Sequence, residues 1–282
     1  MSFCRRIYIL VRWLNGSRRQ WYSGGEAMSE DPFVRNCLNG LALNSSVYRV
    51  FPAKRLAELF LSKKLTLVVP RRWDDPFENM LEKARAVNEG SGEQVSLERL
   101  FQNVYGQCWC WDSDETDATW RIYSPDKSGV RVKVNAQKLF EIIVRNQGFA
   151  LISSFIGKVR YASKDEILAT LRDPDQTAEI ALRNDGAGSA RWLMSKRLEF
   201  AHEKEVRLLF WDRENIAGGT DIIQFDCEPT DLVEEVVLDP RMSDSDVALW
   251  TGDFKALGYH NSITKSDLYS PPDLSGVRIR LG

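Results

Sequence analysis

Cysteine, histidine and long apolar runs are all scarce in this chain, and each scarcity removes a class of protein. Five cysteines in 282 residues, an odd number, do not make a disulfide framework and point to a reducing compartment, with the cytoplasm as the default. The two histidines, His202 and His260, and Cys227 show no paired ligand spacing with Cys108 and Cys110, so no metal is expected and buried thiols are the simpler reading. The longest apolar runs, Ile7 to Val11 and Leu65 to Val69, are far too short to cross a bilayer. Positive charge is in no excess either. With 38 Lys and Arg against 40 Asp and Glu, and no basic stripe on any element, nucleic-acid binding is unsupported. A glycine-rich phosphate loop, an internal repeat and a strong interdomain linker are also missing.

What is present suits one packed domain, with 43% hydrophobic residues. Residues 1–46 read as a poorly ordered or peripheral leader. Its first 27 residues set Arg5, Arg6, Arg12, Arg18 and Arg19 against the single acid Glu26, with no convincing cleavage site, and Met28 is the expected functional start. Residues 47–270 read as a single domain and 271–282 as a tail.

Within the domain, Val47 to Phe51 is β-rich, and Leu56, Leu59 and Phe60 then recur at helical spacing. Leu65 to Val69 reads as a strand. Asp75, Pro76 and Glu78 have the spacing of a capping box, which accounts for the acids without chemistry and sets aside a metal-dependent hydrolase built on Asp74, Asp75 and Glu78. Leu97, Leu100 and Phe101 suggest a helix, Gly106 to Asp112 a central strand, and Ser113 to Thr116 the cap of a short helix carrying Trp120 and Tyr123. Val130 to Val134 reads as a strand, Ala136 to Val144 as an amphipathic helix, and Lys158 to Tyr161 as a strand. Helices follow over Lys164 to Leu171 and Thr177 to Leu198, the second broken near Gly186. Glu203 to Trp211, Ile222 to Phe225 and Glu235 to Leu238 read as successive strands, the first two forming a hairpin or meander. Ser243 with Asp246 caps a last long helix, and Ile263-Thr264 begins a short strand. Strands without regular strand-helix alternation imply an α+β fold, with a mixed, mostly antiparallel sheet flanked by helices.

The run Glu203-Lys204-Glu205-Val206-Arg207-Leu208-Leu209-Phe210 holds the densest candidate chemistry. In a strand, Val206, Leu208 and Phe210 face a core while Glu203, Glu205 and Arg207 share the other side. Two carboxylates and a guanidinium on one face make either the wall of an active site or a charged pair on a sheet.

The order of motifs resembles domain-of-unknown-function family 2971, a family of uncharacterised bacterial proteins. The resemblance rests on Val47-Tyr48-Arg49-Val50, Trp73-Asp74-Asp75-Pro76-Phe77-Glu78, Cys110-Trp111-Asp112-Ser113, Trp120-Arg121-Ile122-Tyr123, Gly129-Val130, Val159-Arg160-Tyr161, Glu203 to Arg207, and Val236 to Pro240. This chain departs at Arg121, where the family often has a histidine before the tyrosine, and at Asp239, where glycine is usual. The resemblance implies a fold family and no established activity.

An arginine in an early strand, an aromatic strand-helix segment and a later Glu-x-Glu also follow an order similar to that of ADP-ribosyltransferases. That similarity implies NAD as cofactor and a nucleotide or protein as acceptor. The nicotinamide-ribose bond breaks through an oxocarbenium-like state, which a carboxylate stabilises. On this reading Glu205 is that carboxylate, Glu203 orients or deprotonates the acceptor, Arg49 binds a cofactor phosphate, and Trp120 or Tyr123 stacks on nicotinamide. The alternative is a non-catalytic ligand- or protein-binding module with the aromatic-rich middle as its recognition surface.

Overall fold

The computed structural model describes residues 32–280 apart from 74, 76, 79, 81–84, 88–89, 99–100, 102, 146–152, 183–185, 274 and 277. The basic leader, Met28, Asp74 and Pro76 lie outside the described residues. A short helix α1 (Pro32–Arg35) and strand β1 (Cys37–Leu38) precede β2 (Ser46–Pro52), α2 (Ala53–Ser62) and β3 (Lys64–Val68). A small ribbon of β4 (Arg85–Val87) and β5 (Gln94–Ser96) leads to β6 (Val104–Cys110), α3 (Asp117–Tyr123), β7 (Gly129–Asn135) and α4 (Ala136–Arg145). Next come β8 (Ser154–Lys158), β9 (Arg160–Ala162), α5 (Lys164–Arg172), α6 (Pro174–Leu182), α7 (Ala187–Leu193) and β10 (Ser195–Arg197). A 3-10 turn (Leu198–Glu203) enters β11 (Glu205–Trp211), followed by β12 (Ile222–Asp226), α8 (Pro229–Leu232), β13 (Val233–Leu238), α9 (Asp244–Ala256) and β14 (Ser262–Lys265).

The main sheet runs β1-β8-β11-β6-β2-β7-β13-β14, with β3 paired to β6 and β12 to β3. Its pairings are antiparallel except β1 with β8 and β13 with β14, so the fold is the expected α+β with a mixed, mostly antiparallel sheet. Helices α2 and α4 bury Leu56, Phe60, Leu139, Phe140 and Ile143 against one face, which receives Val206, Leu208 and Phe210 from β11. Burial of each such side chain contributes about 1.5–3 kcal/mol. The other face carries Leu209 and Phe155 into a second cluster with Trp192, Leu193 and Met194.

Several local expectations are corrected. Strand β1 pairs with β8, and Asn36 is buried with its amide donating to the Ser154 carbonyl at 2.9 Å. Residues 36–38 are therefore integral to the sheet although they fall in the expected leader. Lys158 to Tyr161 is not one strand: β8 ends at Lys158 and β9 starts at Arg160, pairing with β10. The helix expected to reach Leu198 stops at Leu193, and Ser195–Arg197 is strand. β11 does not form a hairpin with β12, which pairs with β3 instead. The cap at Ser243 forms as expected, its hydroxyl accepting from the Asp246 N–H at 3.1 Å.

Candidate functional site

Strand alternation sends Glu205 and Arg207 to the same face of β11, and the second core cluster closes over them. Arg207 is fully buried and Glu205 nearly so. The guanidinium grips Glu205 with two bonds, Nε to Oε1 at 2.8 Å and Nη2 to Oε2 at 2.9 Å. Nη2 also donates to Glu78, and Nη1 donates to the Leu193 carbonyl. The Trp73 ring covers the guanidinium at 4.4 Å. Gly106 makes room for it, because a Cβ there would stand 2.7 Å from the indole.

Lys196 adds the second cation. Its Nζ lies 2.6 Å from Glu203, 3.3 Å from Glu78 and 3.4 Å from Glu205. Tyr161, opposite Lys196 in the β9-β10 register, accepts the Glu205 N–H at 2.8 Å. Three carboxylates thus share two cations, leaving one acid in excess. Burial pushes Glu205 upward, but Arg207 and Lys196 outweigh it and hold the carboxyl below its usual range. Glu78 goes the other way: burial, reinforced by the neighbouring Glu205 charge, raises it despite Arg207 and Lys196. Burial opposes charge on Lys196, yet the surrounding carboxylates raise it.

A split in the sheet lies beside this network. β6 pairs with β11 along its whole length, but on its other edge it meets β2 only at Tyr48↔Cys110 and β3 only at Val68↔Gly106. Between those contacts Gln107 reaches across to the Thr66 carbonyl at 3.1 Å. Arg49, the residue after the bridge, stands where the strands part, half-buried, with its guanidinium 5.5 Å from the Phe51 ring and 6.0 Å from that of Trp109. No carboxylate pairs with it among the described residues. Burial lowers its pKa, partly offset by Cys108 and Tyr123, whose fields reach it. The Cys108 thiol is pushed well up by burial and by Glu205, with which it shares a hydrogen bond. Tyr123, at the end of α3, is 42% exposed. Burial around its hydroxyl and the charges of Glu203 and Glu205 raise the phenol.

The expected site residues are thus sorted. Glu205, Glu203 and Tyr123 share one electrostatic neighbourhood, and Arg49 joins it through Tyr123 and Cys108. Arg49 does so from the opening of the sheet, since Tyr48 and not Arg49 shares the pleat face of Cys110 and Glu205. Glu203 is corrected: it ends a 3-10 turn, Lys204 is left-handed at φ 46°, and the strand starts at Glu205. The two carboxylates meet through Lys196 rather than by strand alternation. Trp120 stands apart, 1% exposed, with its indole N–H on Glu115 at 3.1 Å, so its ring is closed to a ligand. Asp75 and Glu78 do not form the expected capping box. Asp75 accepts from the Phe77 N–H at 3.0 Å and pairs with Arg197, also at 3.0 Å, while the Glu78 side chain goes to Arg207 and Lys196. Glu78, Lys196, Tyr161 and Cys108 are the members that sequence reasoning missed as site residues. The Asp-Pro-Phe-Glu segment was the available signal for Glu78. His202 is exposed, its ring 3.2 Å from the Glu199 carbonyl. Among the described residues no cluster of His, Cys, Asp and Glu could hold a metal, and no helix is long and apolar enough to cross a membrane.

The class defined to this point is an α+β protein with a split, mixed sheet and a buried acid-base network beside the split. Residues 119–208 match the model of a family described as protein of unknown function, DUF2971. The stretch includes Tyr123, Lys196 and Glu205, and the match agrees with the resemblance seen in the motifs. No curated protein matches the chain. Among solved structures it is similar to the DarT protein of Thermus sp. 2.9 in three complexes. The complex with carba-NAD+ has a TM-score of 0.34 at 10% identity, covering 80% of this chain and 97% of that one. The complex with NAD+ gives 0.36 at 12%, covering 80% and 96%. The complex with ADP-ribosylated ssDNA gives 0.38 at 12%, covering 81% and 97%.

Proposed function

We propose that NAD binds at the sheet split and that the protein transfers ADP-ribose from it to an acceptor. The observation that carries this reading is Arg49, a half-buried guanidinium at the sheet split with no carboxylate partner among the described residues, which feels the fields of Tyr123 and Cys108, two groups that in turn feel Glu205. A guanidinium in such a place favours an anion, and a phosphate matches its donor geometry. Tyr123 offers an aromatic face, and the surplus acid of the network suits a ligand with a cationic ring. These residues fit a pyridinium dinucleotide in charge and chemistry.

Bound NAD supplies a glycosidic bond whose cleavage develops positive charge on the ribose. Glu205, buried and favoured in its ionised form by Arg207 and Lys196, provides the opposing negative charge. Glu203, held by Lys196 and less buried than Glu205, serves the acceptor by orienting it or taking its proton. Lys196 and Arg207 act as positioning residues that fix both carboxylates.

One observation favours the second reading, a binding module without catalysis: both Glu205 oxygens are already engaged by Arg207 and Lys196. Incubation with NAD labelled in the nicotinamide and in the adenosine, with protein and single-stranded DNA acceptors in separate arms, distinguishes the two. Under transfer, Glu205→Gln abolishes nicotinamide release while thermal melting shows a folded chain. Glu203→Gln lowers label transfer more than NAD hydrolysis. Saturable NAD binding with no nicotinamide release in any arm would establish the binding module instead.

A further inference from the structure

The β9-β10 ribbon has two sides, and the network uses only one. In its register Ser195 faces Arg160 and Lys196 faces Tyr161. Lys196 and Tyr161 reach Glu205, so alternation turns Arg160, Ala162 and Ser195 to the reverse side. There they line a cavity of about 320 Å³ together with Thr170, Gln176, Arg191 and the acid Glu179. That volume is within the range of small-molecule sites, about 300–1,000 Å³.

The cavity's charge is lopsided. Arg191 is paired with Glu179 at 2.7 Å, but Arg160 is exposed and has no ion-pair partner among the described residues. Glu166 feels its field without forming an ion pair with it, and its Oε2 is held by the Ser163 N–H at 2.7 Å in the cap of α5. One guanidinium is therefore left over in a concave site. The wall is already close-packed: a Cβ on Gly188 would lie 2.5 Å from the Glu179 carbonyl and 2.6 Å from that of Ile180. Helices α6 and α7 touch through their backbones here, which gives the ligand a preformed floor.

We infer that this cavity is a second binding site, for a small organic anion bearing a carboxylate or a phosphate. Arg160 is its main partner, and Arg191 uses the donors left free by Glu179. The site backs onto the strand that holds Lys196, but it stands on its own residues and does not depend on the transferase reading.

The test uses the full chain carrying Arg49→Ala, so that the anion partner proposed at the sheet split is gone. Calorimetric titration at constant ionic strength with inorganic phosphate and, separately, citrate should show saturable binding of one equivalent for at least one probe. The arm that binds identifies the anion class. Adding Arg160→Ala should weaken that binding at least tenfold, and Arg160→Lys should weaken it less. Arg160 is exposed, so the anion-free melting midpoint should be unchanged and separates lost binding from lost folding. No saturable binding of either probe, or equal binding after Arg160→Ala, overturns the proposal.

Discussion

Glu78 and Glu205 hold the same guanidinium and burial pushes both upward, but the cations outweigh burial at Glu205 and not at Glu78, and that difference can be measured. The carboxyl of Glu205 is depressed, so its contribution to stability is present above the ordinary glutamate value of about 4.3 and is lost as pH falls through the lower folded value. Glu78 is raised. Ionising it in the folded state costs stability, so its contribution falls as pH rises from about 4.3 through its higher folded value. Urea unfolding from about pH 3 to pH 8 should show the stability gap between wild type and Glu205→Gln growing with pH. The gap to Glu78→Gln should shrink over the window above it. Slopes of the same sign in both variants contradict the opposed environments. The same residue scale explains what could be read in advance. Arg49, Tyr123 and Glu205 announce themselves as polar or aromatic groups within apolar elements. Glu78 does not, because Asp-Pro-x-Glu satisfies a capping-box rule equally well and its true partner, Arg207, is 129 residues away.

At the scale of elements, the strands with clear alternation were legible: β2, β6, β7 and β11 fall within a residue or two of their sequence expectation, as does the Ser243 cap. The failures share a physical cause. β10 exists because it pairs with β9, and the apolar spacing through Leu193, Met194 and Leu198 imitates a helix until that pairing is known. The break before β11 requires Lys204 to be left-handed, a conformation its side chain does not advertise. β12 follows β11 in sequence yet joins β3, and β11 and β12 meet through the core, where Phe210 and Phe225 pack edge-on at 5.2 Å. One element carries a test of the network's lid. Gly106→Ala would press its methyl into Trp73 and Leu209, and overpacking of this kind costs about 1–3 kcal/mol. Chemical denaturation should report that loss. A stability equal to wild type would mean that Trp73 does not rest on β6 as described.

Across the whole molecule, the fold sets the two proposed sites back to back around one strand ribbon. One side of β9-β10 secures the carboxylates at the sheet split, and the other closes the Arg160 cavity. Neither arrangement was visible in the sequence beyond its separate motifs, since both depend on how β6, β8 and β11 align and on where β2 and β3 part from β6. The residues of the split also separate structure from function. Arg207 has three side-chain or backbone partners in the interior, and removing it would leave the buried Glu78 and Glu205 with Lys196 as their one remaining cation among the described residues, at a cost of about 3–5 kcal/mol. Arg49 has no carboxylate partner among the described residues, so its loss should be tolerated by the fold and felt by the ligand. Titration of the wild-type and Arg49→Ala proteins with NAD, followed by calorimetry and thermal melting, tests this most directly. Saturable binding that raises the wild-type midpoint, with at least a tenfold loss of affinity (about 1.4 kcal/mol) in a variant of unchanged ligand-free stability, is the predicted result. Absence of NAD binding by the wild type, or equal affinity in both proteins, would contradict it.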